Sequence, residues 1–120
     1  MRTTINIEGL MDGLNGPEGL IRQHWTKRQG KKKKYKLLIK QQTKNKHLGP
    51  VKVTYRTYTN RFKDWDNYGA SFKLLGDALV DNKVIVDDSP KYITIFEPLQ
   101  IKVGTRKEQR IEIVIEDILK

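Results

Sequence analysis

The clearest structural pattern in the chain lies from Lys63 to Pro90, which reads KDWDNYGASFKLLGDALVDNKVIVDDSP. Its apolar residues recur at steps of three and four, the spacing of one helix face. After a polar turn at 81–82, the apolar run from Val84 to Val86 has the composition of a short buried strand. We therefore expect a turn, a helix, a second turn and a strand, in that order. The helix face would consist of Trp65, Tyr68, Phe72, Leu75 and Leu79.

Acidic residues stand at both ends of this stretch. Asp64 and Asp66 open it and are followed by Asn67, whereas Asp87 and Asp88 close it. A helix folded back on a strand returns the end of the strand towards the start of the helix, so we expect the four aspartates to cluster. Carboxylates from two elements suit a hard cation such as magnesium. A structural role stays open, because Asp and Asn also cap helices and form turns.

The composition limits the classes of protein and of site. The chain has 120 residues, which indicates one domain. It has no cysteine, which excludes disulfides and thiolate metal sites, and its two histidines, His24 and His47, argue against a histidine zinc site. We find neither a signal peptide nor an apolar run of transmembrane length, so we expect a cytoplasmic protein without a membrane partner.

The charge is distributed unevenly along the chain. The net charge is +10, and the segment from Gly19 to Lys63 holds 15 of the 24 Lys and Arg residues but no acid. Six of the 14 acids fall between Asp64 and Asp88. A basic segment followed by an acidic one predicts a nucleic acid as partner, although a cationic surface without a specific partner remains the alternative. The expected phosphate contacts are Lys27, Arg28, Lys31, Lys32, Lys33, Lys34, Lys36, Arg61 and Lys63.

The remaining segments complete the predicted fold. Alternation of apolar and polar residues predicts strands, and an apolar stripe within the lysine-rich segment predicts a helix. The fold class is α/β (α+β): one domain over residues 1–120, with a mixed sheet of about five strands and two principal helices. The expected elements are a strand at Arg2–Ile7, a loop at 9–30, a helix at Lys31–His47, a strand at Val51–Tyr58, two strands at 91–103 broken by Pro98, and a strand at Arg110–Glu116 that pairs back as a hairpin.

An acidic cation site beside a basic surface indicates phosphodiester chemistry. Magnesium held by carboxylates can neutralise a phosphate, orient a water and stabilise the leaving oxygen. Asp64, Asp66 and Asp88 would hold the metal, with Asp87 as a second ligand or an outer anion. Lys73, in the middle of the helix, could meet the scissile phosphate. The alternative for Lys73 is an ordinary exposed helix lysine.

At these positions the chain resembles the RusA-type Holliday junction resolvases, a family common in phages and prophages. The resemblance consists of D-x-D-N at 64–67, F-K-x-x-x-D-A-L at 72–79 and the apolar run ending in Asp87 and Asp88. It covers about residues 50–97, and no residue of the N-terminal third matches. Members of this family are magnesium-dependent homodimers that nick four-way DNA junctions symmetrically.

The resemblance implies roles for individual residues. Asp64, Asp66 and Asp88 would be the metal ligands, and Lys73 would be the essential lysine. The separation of Lys73 from Asp88 matches the family pattern, whereas that of Lys73 from Asp66 is three residues longer. The expected cofactor is Mg²⁺, with Mn²⁺ as a substitute, and the expected partners are branched DNA and a second copy of the chain. Two alternatives stay open: a non-catalytic nucleic-acid-binding module, and a metal-dependent nuclease that prefers flaps or single strands.

Overall fold

The computed structural model describes residues 1–8, 25–62, 64 and 69–118; the side chains of residues 25–32 and 69–71 lie outside this description. Four strands and two principal helices form one small α+β domain. The elements are β1 (Arg2–Glu8), α1 (Trp25–Gln42), β2 (Val51–Thr59), α2 (Gly69–Asp81), β3 (Ile93–Lys102) and β4 (Arg110–Asp117), with a short 3-10 helix at Arg106–Glu108.

The four described strands form one mixed sheet in the order β1-β4-β2-β3. β4 lies antiparallel to both β1 and β2, whereas β2 and β3 are parallel. A parallel pair needs a crossover connection, and α2 lies in the segment that makes it. This connection places α2 along the β2–β3 side of the sheet, where Phe72 contacts Tyr55 and Phe96.

The core lies between one face of the sheet and the two helices. Alternate residues of β1, β2 and β4 are buried, as the sequence pattern predicts for strands covered on one face. Tyr35 and Ile39 of α1 and Leu75 and Leu79 of α2 complete the same cluster. The strand residues of this hydrophobic cluster are Ile5, Ile7, Val51, Val53, Tyr55, Ile111, Ile113 and Ile115.

Three elements differ from the prediction. α1 begins at Trp25 and ends at Gln42, so residues 25–30 are helical and residues 43–47 are not. Residues 84–86 form no strand: Val84 and Ile85 are buried, but Ile85 makes only an isolated bridge to His47, and Val86 is 43 % exposed. The predicted break at Pro98 is also wrong, since β3 runs through it as one strand.

The predicted pairing of the final strand is wrong as well. β4 forms no hairpin with β3 but inserts between β1 and β2. There its isoleucines face the helices from the middle of the sheet, where all three are at most 1 % exposed. Residues 9–24 of the predicted loop at 9–30, and residues 65–68, lie outside the described residues. Within the described part of the chain, no helix is long and apolar enough to cross a membrane.

Candidate functional site

Lys73 projects from the solvent side of α2 and is held by two carboxylates. Its Nζ lies 3.1 Å from Oδ1 of Asp77, one turn further along the helix, and 3.2 Å from Oδ2 of Asp88. Phe72 and Leu75 on the same helix pack against the core, which fixes the direction in which Lys73 points. Lys73 is therefore an exposed lysine whose ammonium group pairs with two carboxylates.

Asp88 reaches Lys73 from a turn that is tied to the sheet. The preceding residues, Val84 and Ile85, are buried, and the Val84 carbonyl accepts a 2.8 Å hydrogen bond from the backbone N–H of His47. After the turn, the N–H groups of Tyr92 and Ile93 donate to the Ser89 carbonyl at 3.0 and 2.8 Å. Anchors on both sides hold Asp88 against α2.

Hydrogen bonding changes the titration of Lys73 in the direction that keeps it charged. The hydrogen bond to Asp77, and then that to Asp88, raise the pKa of Lys73 above its ordinary value. The ammonium group therefore stays protonated throughout the neutral range. It can act as a fixed positive charge for an anionic ligand, but it cannot act as a base there.

Asp87 has local partners within the turn. Hydrogen bonds from the Ser89 side chain, and then from the backbone N–H of Asp88, lower the pKa of Asp87 below its ordinary value. These contacts are those of a turn-forming aspartate. The structure thus gives Asp87 a role in shaping the turn that presents Asp88.

Beside the Lys73–Asp88 pair lies an open groove of about 370 Å³. Its floor is aromatic, from Tyr55, Phe72 and Phe96, while Lys73 and Asp88 supply charges. Gly76 also lines the groove, and a Cβ built there would lie 3.8 Å from Asp88, an ordinary van der Waals contact. The groove thus combines an apolar surface with a cation and an anion, which is a common composition for a small-molecule or nucleotide site.

The structure describes three of the four predicted aspartates, Asp64, Asp87 and Asp88. Asp64 is exposed and follows the end of β2, but Asp66 lies outside the described residues. Within the described part of the chain, no three Asp, Glu or His side chains are close enough to hold a metal ion. The described residues thus bring Lys73 together with Asp88, and the predicted metal group stays a prediction.

The predicted DNA contacts are likewise placed in part. Lys33, Lys34 and Lys36 are exposed on α1, and Arg61 is exposed just after β2. No carboxylate of the described residues forms an ion pair with these four. The side chains of Lys27, Arg28, Lys31, Lys32 and Lys63 lie outside the described set.

Two features of the site were not predicted from the sequence. The Asp77 contact could have been found, because Lys73 and Asp77 have the i, i+4 spacing of a helical ion pair. The aromatic floor could not, because Tyr55 and Phe96 belong to two strands whose parallel register appears only in the fold. Phe72 was assigned to the helix face but not to the groove.

Neither a scan against models of protein families nor a search of curated proteins returned a match for this chain. Inferences about its function therefore depend on the side chains that the fold brings together.

Proposed function

We propose that this protein is a magnesium-dependent endodeoxyribonuclease that resolves four-way DNA junctions by paired, symmetric nicks in the cytoplasm. The observation that supports it best is the Lys73–Asp88 pair, a fixed cation and a carboxylate 3.2 Å apart beside an open groove. The protein that carries this pair has a net charge of +10. A polyanion such as DNA is attracted to a chain of this charge. In DNA, the phosphodiester linkage is the bond on which a cation and a carboxylate can act.

Lys73 would bind the scissile phosphate. Its charge is permanent in the neutral range, and Asp77 holds its ammonium group from the same helix. In the proposed site Asp77 positions Lys73, while a phosphate oxygen competes with Asp88 for the ammonium. A positioned cation stabilises the negative charge that develops on phosphate oxygens during cleavage.

Asp64, Asp66 and Asp88 would hold the magnesium ion. Carboxylate oxygens are the hard donors that Mg²⁺ takes, and Asp88 presents one of them next to the groove. The bound ion would neutralise phosphate charge and activate a water molecule. In this proposal Asp87 acts through the turn that presents Asp88, in keeping with its contacts to Ser89.

Symmetric nicking also requires two active sites that are held in a fixed orientation relative to each other. A four-way junction has two-fold symmetry, and a homodimer with an isologous interface supplies two copies of one site in matching orientation. We therefore include a homodimer in the proposal. Each protomer of the dimer would contribute the lysines of its own α1, so that each pair of junction arms meets a basic surface.

The proposal is tested with a panel of labelled DNAs: a four-way junction, a flap, a single strand and a matched linear duplex. Each would be incubated with Mg²⁺, Mn²⁺ or a chelator. We expect paired nicks at symmetry-related positions of the junction, no cuts in the duplex, and no activity with the chelator. Preferential cutting of the flap or the single strand would instead support the alternative nuclease.

A second candidate is a nucleic-acid-binding module without catalysis. It is favoured by one observation: Asp87 is engaged in shaping its own turn, as in a purely structural role. Thermal unfolding distinguishes the two functions, because a ligand that binds the native state raises the melting temperature. The nuclease requires that Mg²⁺ raise the melting temperature of the wild type more than that of Asp88→Asn. Equal responses would favour the binding module.

A further inference from the structure

The groove beside Lys73 has an aromatic floor that phosphate binding does not explain. Tyr55, Phe72 and Phe96 form a three-ring cluster with centroid separations of 5.1, 5.3 and 5.6 Å. Two of the rings belong to neighbouring strands and one to α2. The cluster closes the core at its inner side and faces the groove at its outer side.

Phe96 is the most exposed of the three rings. It is 45 % exposed, although it lies on the strand face that is directed towards the core. It meets Tyr55 at 65° and Phe72 at 74°, so neither of these rings is stacked parallel on it. A flat apolar ligand can stack on such a ring, and base–aromatic stacking is a principal source of affinity for unpaired nucleotides.

The polar groups of the groove suit the other parts of a nucleotide. Lys73 places its ammonium group at the groove, where a phosphate flanking the stacked base could reach it.

The volume of the groove suits a single nucleotide. About 370 Å³ admits a ligand of small-molecule size. A base that is paired and stacked within a duplex cannot enter, because its faces are covered by its neighbours. A nucleotide suits this lining better than an apolar peptide side chain does, since its phosphate can compete with Asp88 for the Lys73 ammonium in a protein with a net charge of +10.

We propose that this groove binds one unstacked DNA base, which stacks on Phe96 while an adjacent phosphate contacts Lys73. The inference deepens the proposed function and rests on it for the identity of the nucleic acid. A base captured here would place a neighbouring phosphodiester beside Asp88. The groove would thus select DNA with an unpaired or easily unstacked base near the cut, as branch points offer.

The test compares two single strands of equal charge in the presence of chelator: a thymidine 12-mer and a 12-mer of abasic sugar phosphates. Affinities would be measured for the wild type, for Phe96→Leu and for Ile95→Val. Ile95 is the matched control because it is 47 % exposed on the neighbouring position of the same strand, directed to the opposite face. Melting temperatures would show that each variant is folded.

We expect Phe96→Leu to weaken binding of the thymidine strand by about 5-fold to 100-fold, the range of one base–aromatic stack. Binding of the abasic strand should not change, and Ile95→Val should change neither. The inference is overturned if Phe96→Leu leaves thymidine binding unaltered, if it weakens both strands equally, or if the wild type binds both strands equally.

The outcome is separable from that of the proposed nuclease. Junction cleavage without any Phe96 effect on thymidine binding would remove the base pocket and keep the nuclease. A base-dependent Phe96 effect in a protein that cuts none of the four DNAs would keep the pocket and remove the nuclease.

Discussion

Single contacts decide which of the predicted residues form a site. Lys73 and Asp88 are 15 residues apart in the chain, and a hydrogen bond of 3.2 Å joins them. The same ammonium also reaches Asp77, so two carboxylates and one cation meet where α2 passes the turn before β3. Lys73 points at the turn that carries Asp88, whereas Asp66, from which its sequence separation is three residues longer than in the family pattern, lies outside the described residues.

A buried hydroxyl in β2 gives a prediction about stability. Thr57 and Thr59 are both fully buried, but Thr59 Oγ1 donates to the Arg61 carbonyl at 2.8 Å, whereas Thr57 Oγ1 has no hydrogen-bond partner among the described residues. Thr57→Val should therefore raise the free energy of unfolding, by up to about 1 kcal/mol, because an unsatisfied polar group is removed. Thr59→Val should lower it by about 1 kcal/mol. Urea unfolding of both variants would measure this, and reduced stability in Thr57→Val would contradict it.

A second polar contact lies between the segment before β2 and the end of β4. His47 is buried, and its two ring nitrogens lie 2.7 Å from Asp117 Oδ1 and 2.7 Å from Thr3 Oγ1. The side chain of Asn45 donates to the same threonine oxygen at 3.1 Å. The group resembles a catalytic Asp–His–hydroxyl array in its contacts, but Thr3 is only 2 % exposed, so its hydroxyl is not offered to a substrate.

This contact makes stability depend on pH. The hydrogen bond from His47, and then that from the amino terminus, lower the pKa of Asp117. A carboxylate with a lowered pKa stabilises the fold fully above the ordinary aspartate pKa of about 3.9, and this contribution is lost as the pH falls through the lowered pKa. Asp117→Asn should therefore melt below the wild type at pH 7, and the difference should shrink below about pH 4. Melting temperatures from pH 2.5 to 7 measure this, with the exposed Asp81→Asn as control; a constant difference would contradict it.

Among the helices and strands, the predictions succeed where a periodic pattern is long. They fail at a short apolar run that is only partly buried. β1, β2 and β4 have clear alternation and are predicted to within a residue or two at their ends. The run at Val84–Val86 is apolar but forms no strand: Val84 and Ile85 are buried, whereas Val86 is exposed. Periodicity alone cannot distinguish a short buried strand from a buried turn.

Pro98 shows why position within the sheet matters. Proline cannot donate to a ladder, which predicts a break in a central strand. β3 is an edge strand whose outer side pairs with no described strand, so the missing N–H is tolerated and the strand continues. The sequence does not tell which strands are edges, and the break and the hairpin were therefore both predicted wrongly.

The opposite edge of the sheet is covered by a side chain. The Gln42 side chain donates to the carbonyl of Asn6 at 2.5 Å and accepts from the N–H of Asn6 at 2.7 Å, which replaces the contacts of a neighbouring strand. Gln42→Ala should lower the free energy of unfolding by about 1 kcal/mol, since two exposed hydrogen bonds are removed. Gln41→Ala, the exposed neighbour, serves as control in the same urea titration. Equal effects of the two substitutions would contradict a specific role for Gln42.

The candidate site was predictable only in its local parts. The spacing of Phe72, Leu75 and Leu79 defines the face of α2, and it follows that Lys73 points outwards. Both residues were expected at the site, but the contact between Lys73 and Asp88 was not predicted, since no local rule joins residues of a helix and a turn. The groove required the parallel register of β2 and β3, which depends on contacts distant in sequence.

Over the molecule as a whole, the two faces of the sheet differ in how their charges are balanced. On the face directed away from the helices, Arg56 and Lys52 pair with Glu112 and Glu97, at 2.7 and 3.3 Å. The exposed lysines of α1 form no ion pair with described carboxylates. A polyanion should therefore bind at α1, where no described carboxylate pairs with Lys33, Lys34 or Lys36.

This difference predicts the salt dependence of DNA binding. Replacing Lys33, Lys34 and Lys36 together by alanine should reduce the slope of log affinity against log salt concentration by roughly 2 to 3 units, about 0.9 for each duplex phosphate that the variant no longer neutralises. Arg2→Ala, on the face directed away from the helices, should leave the slope unchanged. Titrations with a labelled junction at several salt concentrations measure both slopes. A smaller slope for Arg2→Ala and an unchanged slope for the α1 variant would place the DNA on the other face.

Single-turnover cutting of a four-way junction in Mg²⁺ would decide whether Lys73 and Asp88 form a site for cleaving DNA. Lys73→Met and Asp88→Asn should each slow cutting by at least about 100-fold, the usual cost of removing a group that stabilises charge in a transition state. Both should still bind the junction, Asp88→Asn with equal or greater affinity, because a negative charge near phosphate is removed. Lys83→Met and Asp81→Asn, exposed residues close to the end of α2, are the matched controls and should cut at the wild-type rate. Wild-type cutting rates in Lys73→Met and Asp88→Asn would show that these two residues do not form the cleavage site.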